Sequence, residues 1–106
     1  MAARIQVPKE IRRGEKFDVR LVIQHPMETG FRYDDMGRRI PRNVITSVEC
    51  SYNGVQVFSA SLSSGISANP YLQFPTRAVD SGDLVFRWVD DRGERGSERA
   101  ALSVSG

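Results

Sequence analysis

Apolar and polar residues alternate over much of this chain. The alternation is strict from Lys16 to Gln24, where Phe17, Val19, Leu21 and Ile23 share one face and Asp18, Arg20, Val22 and Gln24 the other. Successive side chains of a strand point to opposite faces, so this pattern predicts a strand with one buried face. The period returns from Asn43 to Tyr52, with Val44, Thr46, Val48, Cys50 and Tyr52 on one side. Leu84, Phe86 and Trp88 alternate with Val85, Arg87 and Val89, and Glu98, Ala100, Leu102 and Val104 give a final strand. Two shorter runs end at prolines: Arg4 to Val7 at Pro8, an edge strand, and Tyr71 to Phe74 at Pro75.

Turn signals separate these runs. Asn53-Gly54 is the sharpest, because both central residues of a type I′ hairpin turn need positive φ. It pairs Asn43–Tyr52 with a return strand over Val55–Leu62, placing Tyr52 opposite Val55 and Cys50 opposite Val57. Lys9 to Glu15 reads as a charged turn closing on Gly14, and Asp80-Ser81-Gly82-Asp83 and Asp90-Asp91-Arg92-Gly93 as further turns. No stretch has the period of an amphipathic helix. About seven short strands without helices predict an all-β fold, an immunoglobulin-like antiparallel β-sandwich, with residues 1–106 as a single domain. The Cys…Trp…Cys spacing of antibody domains is missing, so the reading rests on strand count and patterning.

Two stretches break the period. The first opens at His25-Pro26-Met27-Glu28-Thr29-Gly30-Phe31-Arg32 and runs through Tyr33 and Asp34-Asp35-Met36-Gly37 to about Pro41. The second is Ser63 to Pro70, rich in Ser, Gly and Asn. Chemically specific loops between generic strands are where function concentrates.

The candidate chemistry in them is thin. His25 is the only histidine, and with Met27 it makes no metal-ligand set, so its expected role is structural, the ring hydrogen-bonding the loop it begins. Cys50, the only cysteine, falls mid-strand on an apolar face and reads as a buried thiol rather than a nucleophile. Asp34/Asp35 and Asp90/Asp91 are adjacent carboxylates in turns, which point apart and shape the turn instead of converging on a reacting atom. The Ser-rich loop lacks the spacing of a phosphate-binding loop. Arg38, Arg39 and Arg42 form a small basic cluster, either a solvated face or a surface for an acidic partner. No cofactor or metal is expected. The residues favour a binding or scaffolding module over an enzyme.

Charge changes this picture little. Fifteen basic residues against thirteen acidic give +2, with no clustered basic and aromatic footprint for nucleic acid. Arginine greatly outnumbers lysine, which favours forked contacts to carboxylates. No apolar run approaches the roughly 20 residues that span a bilayer. Met1 to Pro8 holds no signal-peptide core, so taken alone the sequence predicts the cytoplasm; export in the grip of a partner would reverse that.

His25-Pro26-Met27-Glu28-Thr29-Gly30, followed by Arg32, Gly37 and Ile40-Pro41, resembles the signature of the SoxZ family of the bacterial sulfur-oxidising (Sox) system. Tyr52-Asn53-Gly54, Gly65-Ile66-Ser67-Ala68-Asn69-Pro70-Tyr71 and Trp88-Val89-Asp90-Asp91-Arg92-Gly93 continue the resemblance over nearly the whole chain. It implies an immunoglobulin-like sandwich in a tight heterodimer with SoxY, whose cysteine, on a flexible arm, carries sulfur intermediates to SoxXA, SoxB and SoxCD. It implies no catalytic residue in this chain, and the periplasm as location, by co-export with SoxY. With no cysteine near Gly106, the chain is expected not to be the arm-bearing subunit. The interface candidates lie in the two loops: His25, Met27, Glu28, Phe31, Arg32, Tyr33, Arg38, Arg39 and Arg42 in and just after the first, and Asn69 in the second. Arg32, Arg38, Arg39 and Arg42 suit reversible polar contact, and Phe31 and Tyr33 suit anchors buried by a partner. The rival readings are an enzyme or metal protein built on His25, and a stand-alone structural sandwich unconnected with sulfur oxidation.

Overall fold

A computed structural model describes residues 2–63 and 65–106. The alternating runs become strands: β1 (Ala3–Gln6), β2 (Glu10–Arg12), β3 (Lys16–Ile23), β4 (Ile45–Tyr52), β5 (Val55–Ser61), β6 (Tyr71–Arg77), β7 (Gly82–Asp90) and β8 (Arg95–Ser105). They form two sheets, one ordered β1-β3-β6 and the other β2-β8-β7-β4-β5. No helix occurs among the described residues. The fold is the expected immunoglobulin-like sandwich.

The two sheets bury the faces that the alternation selects. Val19, Leu21 and Ile23 of β3 meet Val48 and Cys50 of β4 and Leu84, Phe86 and Trp88 of β7 in one core cluster. Each such side chain contributes about 1.5–3 kcal/mol on leaving water. Phe58 on β5 stacks on Phe74 on β6, with centroids 4.2 Å apart and planes 4° from parallel, tying the edge of one sheet to the edge of the other. Gly96 lies opposite Trp88, where a β-carbon would stand 2.4 Å from the indole, so the ring fills the space that glycine leaves.

Six details depart from the sequence expectation. There are eight strands rather than seven, because the charged stretch Lys9–Glu15 contains β2, which pairs parallel with β8 through Glu10↔Ser103, Ile11↔Val104 and Arg12↔Ser105. β6 does not stop at Pro75 but runs on to Arg77; an edge strand tolerates proline where no neighbour needs the missing N–H. β7 begins at Gly82, inside the expected turn, and β8 begins at Arg95, three residues ahead of Glu98. The Asn53-Gly54 turn forms as expected, with φ of 49° and 82°, and Tyr52 faces Val55. A β-bulge then shifts the register, so that Cys50 faces Phe58 and Val57 is the extra residue. A second irregularity, between Ile45 and Ser47 against β7, buries both Val44 and Ile45, where strict alternation buries only one.

The first aperiodic stretch is a hairpin in its own right. Glu28 and Asn43 exchange backbone hydrogen bonds of 2.8 and 2.9 Å, Ile40 N–H donates to Arg32 at 2.9 Å, and Asp34 N–H donates to Arg38 at 2.8 Å. The molecule measures 60 × 20 × 19 Å. Its longest strand, β8, spans only about 36 Å at the usual rise. The hairpin of residues 28–43, leaving the sandwich after β3 and rejoining it at β4, supplies the additional length.

Candidate partner-binding surface

The hairpin has a buried base. β3 ends at Ile23 and delivers His25, whose side chain is 1% exposed. Its Nδ1 accepts a hydrogen bond from Met27 N–H at 3.0 Å, so the neutral ring carries its proton on Nε2. Met27 has a φ of 48°, a conformation rare for residues other than glycine. It is held there because its N–H is taken by His25 and its sulfur accepts from Ile45 N–H at 3.4 Å. Asn69 clasps His25 from the second loop: Asn69 Oδ1 accepts from His25 N–H at 3.1 Å, and Asn69 N–H donates to the His25 carbonyl at 2.8 Å.

The β7–β8 turn closes the base from the other side. Asp90 Oδ1 accepts from the N–H groups of Arg92 and Glu94, both at 2.9 Å. Its Oδ2 lies 3.9 Å from His25 Nε2, and neither atom has a hydrogen-bond partner among the described residues. Asp91 points the opposite way, accepting from Val44 N–H at 3.2 Å and from Arg42 Nε at 3.1 Å. The adjacent carboxylates thus diverge and shape the turn, as expected. The structural reading of His25 also holds, since the ring fixes its own loop.

Above the base the hairpin is solvent-exposed. Asp34 Oδ1 accepts from Met36 and Arg38 N–H, both at 2.9 Å, and shapes the tip. Gly30 has a φ of 90°, and a β-carbon there would press on Arg42 Cβ at 3.2 Å, so glycine is what lets the two arms meet. Phe31, Tyr33 and Met36 are 76%, 65% and 77% exposed. Arg39 stands over the Phe31 ring at 5.6 Å, a cation–π contact that keeps the ring outside.

The arginines divide into two kinds. Arg32 is bound to Glu28 through a forked pair, and this hydrogen bond holds the Glu28 carboxyl below its ordinary range. Arg42 is bound to Asp91. Arg38 and Arg39 have no carboxylate partner among the described residues, so their charge is not neutralised, although Arg39 is held within the hairpin by the Gly30 carbonyl and the Phe31 ring.

The interface candidates therefore separate. His25 and Met27 are buried and offer no surface to a partner; their hydrogen bonds hold the start of the hairpin from beneath. Asn69 is exposed but committed to His25. Glu28 and Arg32 pair with each other beside a shallow depression that Pro26, Met27, Thr29 and Ala68 also line. Phe31, Tyr33, Arg38 and Arg39 are the candidates left exposed on the hairpin. Met36 joins them; the sequence marks it only as part of a turn. Cys50 is fully buried, and desolvation pushes its thiol up to about 12, so it is no nucleophile at neutral pH. No group of three or more His, Cys, Asp or Glu with metal-binding geometry occurs among the described residues.

A family model described as "SoxZ: Sulphur oxidation protein SoxZ" matches residues 5–101. The chain belongs to the SoxZ family. Membership places it in the Sox system of sulfur oxidation. No curated protein matches the chain directly. Among solved structures, the superoxide reductase (neelaredoxin) from Ignicoccus hospitalis superposes with a TM-score of 0.76 at 18% identity, covering 99% of this chain and 81% of that one. The sulfur carrier protein SoxY from Chlorobium limicola f thiosulfatophilum superposes with a TM-score of 0.68 at 14% identity, covering 99% and 80%. Identities this low establish a shared fold, and members of the SoxZ family and SoxY are built on the same sandwich.

Proposed function

We propose that this SoxZ-family chain is the non-catalytic subunit of a sulfur-carrier complex. It pairs with SoxY, whose cysteine-bearing arm holds the sulfur intermediates, and it offers the projecting hairpin to the visiting enzymes SoxXA, SoxB and SoxCD. The complex works in the periplasm, which the chain reaches by co-export with SoxY.

The observation that carries this reading is the hairpin of residues 28–43. It holds Phe31, Tyr33 and Met36 in water on a base fixed by His25, Met27 and Asn69. Exposed apolar groups grouped on one hydrogen-bonded hairpin support an interaction site, because they add nothing to the core. Arg38 and Arg39 beside them supply charge for contacts that form quickly and part again. The chain's own chemistry is committed elsewhere: the His25 ring to its loop, and the Cys50 thiol to the core.

Replacing Arg38 and Arg39 with alanine tests the reading. Docking should weaken, seen as slower turnover of the heterodimer by at least one Sox enzyme, while the heterodimer itself stays intact. Unchanged turnover with every enzyme refutes the role given to the hairpin. A His25→Ala heterodimer that folds and still supports full thiosulfate oxidation removes the rival idea of catalysis at His25.

A further inference from the structure

Charge is distributed unevenly along this chain. All 15 basic and all 13 acidic residues, and the one histidine, lie outside residues 51–76. That uncharged run supplies the whole of β5, the second loop, and β6 as far as Thr76. β5 is the outer strand of the five-stranded sheet and β6 the outer strand of the three-stranded one. The stacked Phe58 and Phe74 rings place these two edges on the same flank of the sandwich. This flank is therefore free of charge up to Arg77 at the end of β6, and it exposes Val55, Val57 and Tyr71.

The edges differ in how they are protected. β1 and β2 are short, four and three residues, and carry Arg4, Glu10 and Arg12. β6 carries Pro75, which removes a donor from its edge. β5 has seven residues, Val-Gln-Val-Phe-Ser-Ala-Ser, with no charge, proline or glycine, and its one blunting feature is the bulge at Val57. A neutral edge of this length, left open, invites pairing with another chain. Depletion of charge is also what separates the buried centre of a stable interface from ordinary surface.

We propose that this flank is the permanent interface with the partner subunit, which adds an uncharged, extended strand along the outer edge of β5. The inference rests on the heterodimer reading above and names the surface that reading leaves open. The bulge at Val57 argues against a second copy of this chain. Two copies paired antiparallel about Phe58 set bulge beside bulge and break the ladder twice within seven residues, whereas a regular strand meets one interruption. The flank and the hairpin then divide the work. Neutral β-pairing holds the constant partner, and the arginine-bearing hairpin meets the transient ones.

The test uses the full chain co-expressed with SoxY, with Val57→Lys on β5, Tyr71→Lys on β6, and Ser97→Lys on β8 as the control. All three positions are exposed, and thermal melting checks that each variant folds. The expected result is a wild-type heterodimer, at least about 100-fold weaker binding for Val57→Lys, weaker binding for Tyr71→Lys, and a change within about 2-fold for the control. Hydrogen exchange supplies the second measurement: the outward-facing backbone amides of Ser59 and Ser61 should slow at least about 10-fold on pairing. Wild-type protein that never pairs with SoxY overturns both the heterodimer reading and this inference. Wild-type protein that pairs while Val57→Lys pairs equally well overturns the inference alone, as does protection confined to residues 28–43. An isolated chain that dimerises through Val57 while Val57→Lys still binds SoxY also overturns it.

Discussion

His25 Nε2 and Asp90 Oδ2 face each other at 3.9 Å inside the protein, both side chains 1% exposed. The gap is too long for a hydrogen bond, and the strong contact of the ring lies on its other side, at Met27 N–H. We expect His25→Ala to destabilise the protein by about 2–4 kcal/mol, through a lost acceptor and a cavity. Asparagine can also accept from the N–H two residues on, in an Asx-turn. His25→Asn should therefore retain a clear part of the lost stability. Chemical denaturation of the three proteins decides it: equal losses for Ala and Asn show that the Met27 contact is not the ring's contribution.

Glu28 gives the hairpin a pH dependence. The Arg32 hydrogen bond lowers its pKa in the folded state below the ordinary 4.5. The native form thus holds a carboxylate where the unfolded chain has already begun to take up a proton. The stabilisation is fully present above pH 4.5 and is lost as the pH falls through the depressed value. The raised pKa of Arg32 adds no dependence anywhere in the acidic or neutral range. The protection of the Asp34 and Ile40 amides, taken relative to the intrinsic exchange rate at each pH, should fall on acidification below pH 4.5, and Glu28→Gln should be less protected at pH 7 with little further change. An acid response in Glu28→Gln equal to that of the wild type assigns the effect to another group.

Cys50 should be silent in the folded state. Burial lifts its thiol from 9.0 to about 12, so almost no thiolate exists at pH 8. A thiol reagent should label it only as fast as the protein unfolds, with labelling accelerated by denaturant. The same shift ties stability to alkali. The unfolded chain loses this proton near pH 9.0 while the native state keeps it, so this share of stability is complete below pH 9.0 and drains away as the pH climbs towards 12. Cys50→Ala should show a smaller alkaline loss, and rapid native labelling at pH 8 contradicts the burial.

Two contacts close the sandwich and should differ in weight. The Tyr52 hydroxyl donates to the Asp80 carbonyl at 2.6 Å and accepts from Val79 N–H at 3.1 Å, clamping the β6–β7 corner. Tyr52→Phe leaves both backbone groups without that partner and should cost about 1–2 kcal/mol. Phe74→Ala removes a buried ring from the Phe58 stack and should cost about 3–5 kcal/mol. Equal effects in equilibrium unfolding indicate that the stack collapses to fill the space.

What the sequence revealed follows from how local each cause is. β3, β4, β7 and β8 were legible because Phe17 to Ile23, Val48 to Tyr52, Leu84 to Trp88 and Ala100 to Val104 repeat the period of two that a half-buried strand imposes. The role of His25 was legible because its partner, Met27, is two residues away. β2 was not, since Glu10-Ile11-Arg12 has no pattern of its own and is a strand only because β8 lies beside it. The bulge at Val57 was hidden because valine at 55 and 57 suits an unbroken register equally well. Asp90 reads as a turn residue, and it ends β7 and braces the turn that follows, but nothing in the letters says that its second oxygen faces a histidine 65 positions earlier. The uncharged run from Ser51 to Thr76 is visible in the letters, yet only the sheet order turns it into one flank.

The parallel pairing of β2 with β8 has a consequence for synthesis. Residues 10–12 find their neighbours only when residues 103–105 have been made. A growing chain can form the β4–β5 hairpin early, but it must carry Ile11 uncovered until translation has passed Val104. Contacts across so long a stretch form late. β2 therefore stays unpaired until β8 has been made, and this edge of the sheet is among the last to close, while a partner or a chaperone can reach it first.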